Sequence, residues 1–174
     1  MKSMFVPMLA AVVLLAGCAA SPEPRVTAPA SLTVATPEAM VASIRAAATR
    51  DAAELSVQPL RDADIEDLRQ QAQAAESAHR YTEAAAALDK ALALVPDDPA
   101  LLQERAEAAL LLRDPATAER LARHAYAIGA KVGPLCRRHW ATIEQTRLLA
   151  GDAAGATSAK AQAAACKVTG SNRF

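Results

Sequence analysis

No Gly-rich phosphate loop, no pair of histidines at metal-binding helical spacing and no Gly-x-Ser-x-Gly elbow occurs in this 174-residue chain. Those absences exclude the sequence-readable forms of phosphate cradling, helix-borne zinc catalysis and nucleophile-elbow hydrolysis. Strand signal is almost missing too, which excludes a sheet-based scaffold. The longest apolar run falls short of the roughly 20 residues that a membrane-spanning helix needs. Cysteine is scarce, at three residues, and formal charge sums to zero. Glu76 and His79 have the spacing of a di-iron half-site, but such bundles need two of these pairs plus further Glu. This single copy, near a helix end, reads as surface. His124 and His139 lie among arginines and read as solvated basic side chains. The chain is therefore not expected to be an enzyme, and no cofactor, metal or nucleic acid is expected on it.

What is present begins at the N-terminus. Lys2 supplies a positive charge, "MFVPMLAAVVLLA" an apolar stretch, and Ala16 and Gly17 small residues before Cys18. Length and flanks are those of a secretory signal. Leu15-Ala16-Gly17-Cys18 resembles the lipobox of bacterial lipoproteins. That resemblance implies a signal peptide over 1–17, cleavage before Cys18, and diacylglycerol and an acyl chain such as palmitate on Cys18. Several chains on one residue hold a protein to a bilayer far better than one. In that family an Asp after the Cys commonly retains the protein in the inner membrane. Ala19 stands there in this chain, which implies the periplasmic face of the outer membrane.

Removing residues 1–17 leaves 157, enough for one domain with its own core. Residues 18–35 comprise Cys18 and "AASPEPRVTAPASLTVA", a Pro-rich stretch without helical period that reads as an extended tether. Thr36 as N-cap and Pro37 at the first helical position open a helix expected over 37–55, with Met40, Val41, Ile44, Ala48 and Leu55 as its apolar stripe. With its connector it occupies 36–62. Further helices are expected over 64–78, 81–95, 99–112, 115–128, 134–150 and 153–168, separated by loop residues such as "PDDP", "RDP", "GAKVGP" and "AGD".

The helices repeat. Tyr81 aligns with Pro115, Ala84 with Ala118, Leu88 with Ala122, Ala91 with Ala125 and Leu94 with Ile128, each 34 residues apart. Ala156 and Ala163 follow Ala118 and Ala125 by 38, with the extra residues absorbed in "AIGAKVGP". This period resembles the tetratricopeptide repeat. Tyr81, Ala84, Leu88, Ala91, Leu92 and Pro96 match its second helix and closing proline, while Trp140, Gly151 and Asp152 match its first-helix aromatic and turn. The fold class that follows is all-α: a short superhelical array of about three tetratricopeptide-like hairpins over 63–168, preceded by one extra helix and followed by a tail at 169–174. Physics agrees, because one hairpin cannot bury its apolar face but three stacked ones can.

Cys136 lies at the start of the third hairpin and Cys166 near its end, so an antiparallel hairpin makes them neighbours. In an oxidising compartment a disulfide there would close a loop of about 30 residues and contribute on the order of 3–4 kcal/mol. Tetratricopeptide arrays usually end in an extra polar helix, which this chain lacks, so the last hairpin gains from a staple. Buried thiols are the alternative, and two Cys without a matched His pair do not make a closed zinc site.

Charge is segregated. Residues 51–119 hold 15 acidic and 6 basic residues, and residues 120–174 hold 9 basic and 2 acidic. Arg120, Arg123, Lys131, Arg137, Arg138 and Arg147 gather in the basic part, either as a solvated surface or as an end that docks an acidic partner. By resemblance, Arg69, Gln73, Gln103, Glu107, Arg138 and Gln145 face the concave side, where a partner segment would bind. Family members that grip a C-terminal carboxylate use a Lys/Asn/Arg set, whereas this chain has Arg69, Gln73 and Glu104, so that mode is not expected. The reading is an adaptor lipoprotein for an envelope or secretion assembly, with the membrane and an envelope protein or peptide as partners. Alternatives are head-to-tail self-association into a homo-oligomer, and binding of cell-wall or lipopolysaccharide phosphates by the basic end.

Overall fold

A computed structural model describes residues 29–49 and 62–167. The signal segment, Cys18, Leu55 and the tail lie outside the described residues. Seven helices occur among the described residues: α1 (Pro37–Ala48), α2 (Ala63–Ser77), α3 (Tyr81–Leu94), α4 (Pro99–Leu111), α5 (Pro115–Ile128), α6 (Gly133–Leu149) and α7 (Ala153–Ala165). They form an all-α array of three antiparallel hairpins, α2–α3, α4–α5 and α6–α7, stacked in chain order.

The starts are written in short polar side chains. Thr36 accepts a hydrogen bond from the Ala39 N–H, Asp62 from Asp64, Asp98 from Ala100 and Leu101, Asp114 from Thr117, and Asp152 from Gly155. Each satisfies a donor that the first turn leaves unpaired. Gly155 is part of its cap, because a Cβ there would meet Asp152 Oδ2 at 2.1 Å.

The three hairpin bends are one structure used three times. His79, Arg113 and Gly151 each adopt the left-handed conformation, with φ of 57°, 60° and 72°. The N–H of the following residue reaches back to Ala75, Ala109 and Arg147 O at 2.8, 2.9 and 2.9 Å. This is the six-to-one bond of a Schellman ending. The spacing of these bends reproduces the 34- and 38-residue offsets of the alanines.

Between paired helices those alanines set the distance. Ala84, Ala118 and Ala156 are all buried; Ala84 shares a core with Leu88 and Leu101, and Ala118 with Leu110.

Helix α1 does not extend the stack. Met40, Val41, Ile44 and Ala47 are buried against α4 and α6, the first helices of the second and third hairpins. It runs antiparallel to α6. Residues before it lie over the end of α6, where the Leu32 N–H donates to Leu148 O at 2.8 Å. Gly151 makes that crossing feasible, since a Cβ on it would come within 2.5 Å of Ala30 O and 2.7 Å of Pro29 Cβ.

Helix α1 is shorter than the expected 37–55. It ends at Ala48, Thr49 donates its N–H to Ala46 O, and the Ala47 and Ala48 carbonyls accept from the Arg137 guanidinium. A side chain from α6 thus takes the carbonyls that a longer helix would have used. Helix α7 likewise stops at Ala165, with Cys166 as its cap.

Candidate functional site: a half-covered concave groove

The first helices of the hairpins line the concave side, and α1 covers the part over α4 and α6. Gln103 and Glu107 have no solvent exposure. They were expected to face a partner, but Glu107 faces Arg45 of α1 and Gln103 faces Thr142 and His139 of α6.

Glu107 is held by four donors. Oε2 accepts from Arg45 Nε at 2.8 Å, and Oε1 from Arg138 Nε at 3.0 Å, Arg138 Nη2 at 2.6 Å and Gln103 Nε2 at 2.9 Å. A carboxylate only accepts, so Gln103 turns its nitrogen toward it, and that nitrogen also donates to Thr142 Oγ1 at 2.8 Å. The Gln103 oxygen then faces His139 Nδ1 at 2.7 Å, which must carry the proton. Burial first, then the charges of Arg138 and Lys131, push His139 down to about 3, so the ring is neutral. Its Nε2 is buried with no hydrogen-bond partner among the described residues. The solvated reading of His139 is therefore wrong: neighbouring arginines in sequence do not place a ring in water when α6 turns it toward α4. His124 stays half-exposed, 3.5 Å from Asp97.

Where α1 ends, the groove opens into a cleft of about 490 Å³ between α1, α2 and α4. Arg45, Arg69, Gln73, Glu76, Glu104 and Arg138 line its walls, with Ala72 and Leu88 beneath. Arg45 grips Glu76 through two bonds, Nη1–Oε1 at 2.6 Å and Nη2–Oε2 at 2.9 Å, which raise its pKa despite partial burial. Arg69 forms a fork with Glu104 and reaches Glu66 at 2.8 Å, and is raised for the same reason. Paired this way, the walls are preset and lose little side-chain freedom on contact.

The six expected contact residues therefore separate. Arg69, Gln73 and Arg138 share the cleft, Glu107 lies under α1, and Gln103 is held between α4 and α6. Gln145 lines a different hollow of about 290 Å³ between α1, α6 and α7, with Ser43, Lys160 and Lys167. Arg45 was missed, Glu76 was read as surface, and Arg137 was read as part of the basic end, not as an anchor for α1. The signal for Arg45 was its place beside the Val41–Ile44 stripe, which puts it at the rim of whatever that stripe covers.

The basic end is largely used internally. Arg123 pairs with Glu119 at 2.8 Å, and Arg147 with Glu119 and, at 3.0 Å, Asp152. Burial pushes Glu119 up, but bonds from Arg123, Arg147 and Thr146 outweigh it and hold the carboxyl below its ordinary value. Lys131 donates to Tyr126 O and Ala127 O and sits 4.2 Å from the Tyr126 ring centre. Arg120 remains exposed.

Cys136 and Cys166 form a disulfide with Cα atoms 5.8 Å apart, and both are buried. Among the described residues no group of three or more His, Cys, Asp or Glu is arranged to hold a metal ion. No helix among them is long and apolar enough to cross a membrane.

No family model matches the chain, and no curated protein matches it in sequence. Among solved structures it is similar to the globular C-terminal domain of LpoP from P. aeruginosa, with a TM-score of 0.58 and 30% identity. The match covers 60% of this chain and 99% of that domain. At that identity, over nearly the whole of the known domain, this chain belongs to the family of the LpoP C-terminal domain.

Proposed function

We propose that this protein is an adaptor lipoprotein, anchored through Cys18 to the periplasmic face of the outer membrane, whose cleft between α1, α2 and α4 docks a segment of another envelope protein. In this reading it works by binding, not by catalysis. The observation that carries it is the half-covered concave face. One amphipathic helix already lies in the groove, and the remaining cleft has an apolar floor and charged, prearranged walls. That combination suits a peptide segment, with the floor supplying burial and the walls register. Likeness to a globular domain that is itself C-terminal supports a layout in which leader and tether precede the working part.

A photo-crosslinking residue at Gln73, inside the cleft, is expected to trap a discrete partner in intact cells. The same residue at Lys90, on the exposed side of α3, is not. Identical adducts from both positions would remove the cleft from the account. For the anchor, Cys18→Ala is expected to leave an unprocessed precursor, and labelled fatty acid still incorporated into that variant would refute it.

A further inference from the structure

The disulfide and the cover of the groove meet at one side chain. Arg137 follows Cys136 directly and is 4% exposed. Its Nε donates to Ala47 O at 3.2 Å and its Nη2 to Ala48 O at 3.2 Å, the last carbonyls of α1. Its Nη1 points to Cys166 O at 3.5 Å, and that carbonyl also accepts from the Gly133 N–H at 2.7 Å. One guanidinium thus joins the end of α1, the start of α6 and the end of α7.

We propose that the Cys136–Cys166 disulfide is the mount for Arg137, so that the bond between the sulfurs controls whether α1 stays seated over the concave groove. The reason lies in α7. Within that helix only Ala156 and Ala159 are buried, and its last turn, up to Ala165, brings no large apolar side chain to the core. Cys166, 2% exposed, is what fixes that turn. Without the bond the turn frays, Cys166 O leaves Arg137 and Gly133, and water reaches the guanidinium. Hydration then competes with the two α1 carbonyls, and a cation near a helix C-terminus loses its hold on the dipole.

Opening by reduction is a two-electron exchange. A dithiol reductant attacks one sulfur through its thiolate, the Cys136–Cys166 bond breaks, and the mixed disulfide resolves. The products are two cysteine thiols and the oxidised reductant. Because both sulfurs are buried, attack follows opening of the α7 end, and the bond survives casual exposure to thiols.

The test is amide hydrogen exchange on the full chain in three forms: native, Cys136→Ser/Cys166→Ser, and Arg137→Gln. In both variants the amides of α1 are expected to exchange faster, by about tenfold or more, the factor expected when a charge-assisted bond is lost. Amides of α2–α5 are expected to keep native protection. Two results overturn the proposal. One is native α1 protection in the double-serine variant while α7 alone frays. The other is a uniform rise across α1–α7, which would make the disulfide a general brace and not a mount for α1.

Discussion

A carboxylate without solvent exposure is tolerated at Glu107 because four donors from Arg45, Arg138 and Gln103 converge on it. Removing the acceptor leaves those donors facing each other across the groove. Glu107→Ala is therefore expected to cost about 3 kcal/mol in urea unfolding, the scale for breaking a buried ion pair. Glu107→Gln keeps the volume and is expected to cost less. Equal losses would show that charge is not what holds the site.

His139 has a pH signature. Its folded value of about 3 lies below the ordinary value of 6.5, so the unfolded chain takes up the proton first. Folded stability therefore falls as pH drops from about 6.5 toward 3, by up to ~1.4 kcal/mol per unit. The carboxylates whose values are depressed, Glu38, Glu119, Asp114 and Asp152, begin to lose their contribution only lower, below about 4.5. Between pH 6.5 and 5 the native melting temperature is expected to fall, and that of His139→Gln to stay flatter. Parallel profiles would contradict the neutral, buried ring.

At the scale of elements, caps and bends were legible. Asp98, Asp114 and Asp152 announce helix starts, and regularly spaced alanines announce the pairing of helices. The left-handed bends were only partly so: Gly151 signals one and His79 is of a type enriched there, but Arg113 is a residue that rarely adopts that conformation. The repeat imposes it there. Arg113→Gly is accordingly expected to be neutral or to stabilise by up to about 1 kcal/mol, read from the denaturation midpoint. A loss would mean that the Arg113 side chain contributes more than its strain costs.

The position of α1 was not legible. Its stripe of Met40, Val41, Ile44 and Ala47 shows that the helix is buried on one side, but periodicity does not name the surface that receives it. The same limit explains why Glu107, correctly assigned to a first helix, lies beneath α1 and not against a partner. Ile44 has no exposure. Ile44→Ala is expected to cost about 2–4 kcal/mol, and to raise hydrogen exchange in α1 before the hairpins respond.

For the molecule as a whole, the sequence's segregation of charge overstated the basic surface. Arg137, Arg138, Arg123 and Arg147 turn inward or pair locally, which a count along the chain does not see. Their use within the fold also makes Arg137→Glu/Arg138→Glu a folding defect and not a clean probe of docking. The entry of the tether is more informative: Pro29 and Ala30 cross Gly151 at the α6–α7 bend, on the edge that carries all three hairpin bends. Gly151→Val is expected to strain the bend and strip protection from the Leu32 amide, leaving α2–α5 intact. A Leu32 amide as protected as in the native chain would contradict that seat.

Exchanging one of its ion pairs shows whether the cleft beside α1 is the docking surface. Arg69→Glu/Glu104→Arg, with Glu66→Gln to avoid a like-charge neighbour, keeps a pair at that place and inverts the charges that a bound segment meets. With the crosslinker at Gln73, the account predicts a melting temperature within a few degrees of native and loss of the adduct seen with the native pair. An undiminished adduct, at the same expression level and with the same partner, would contradict it.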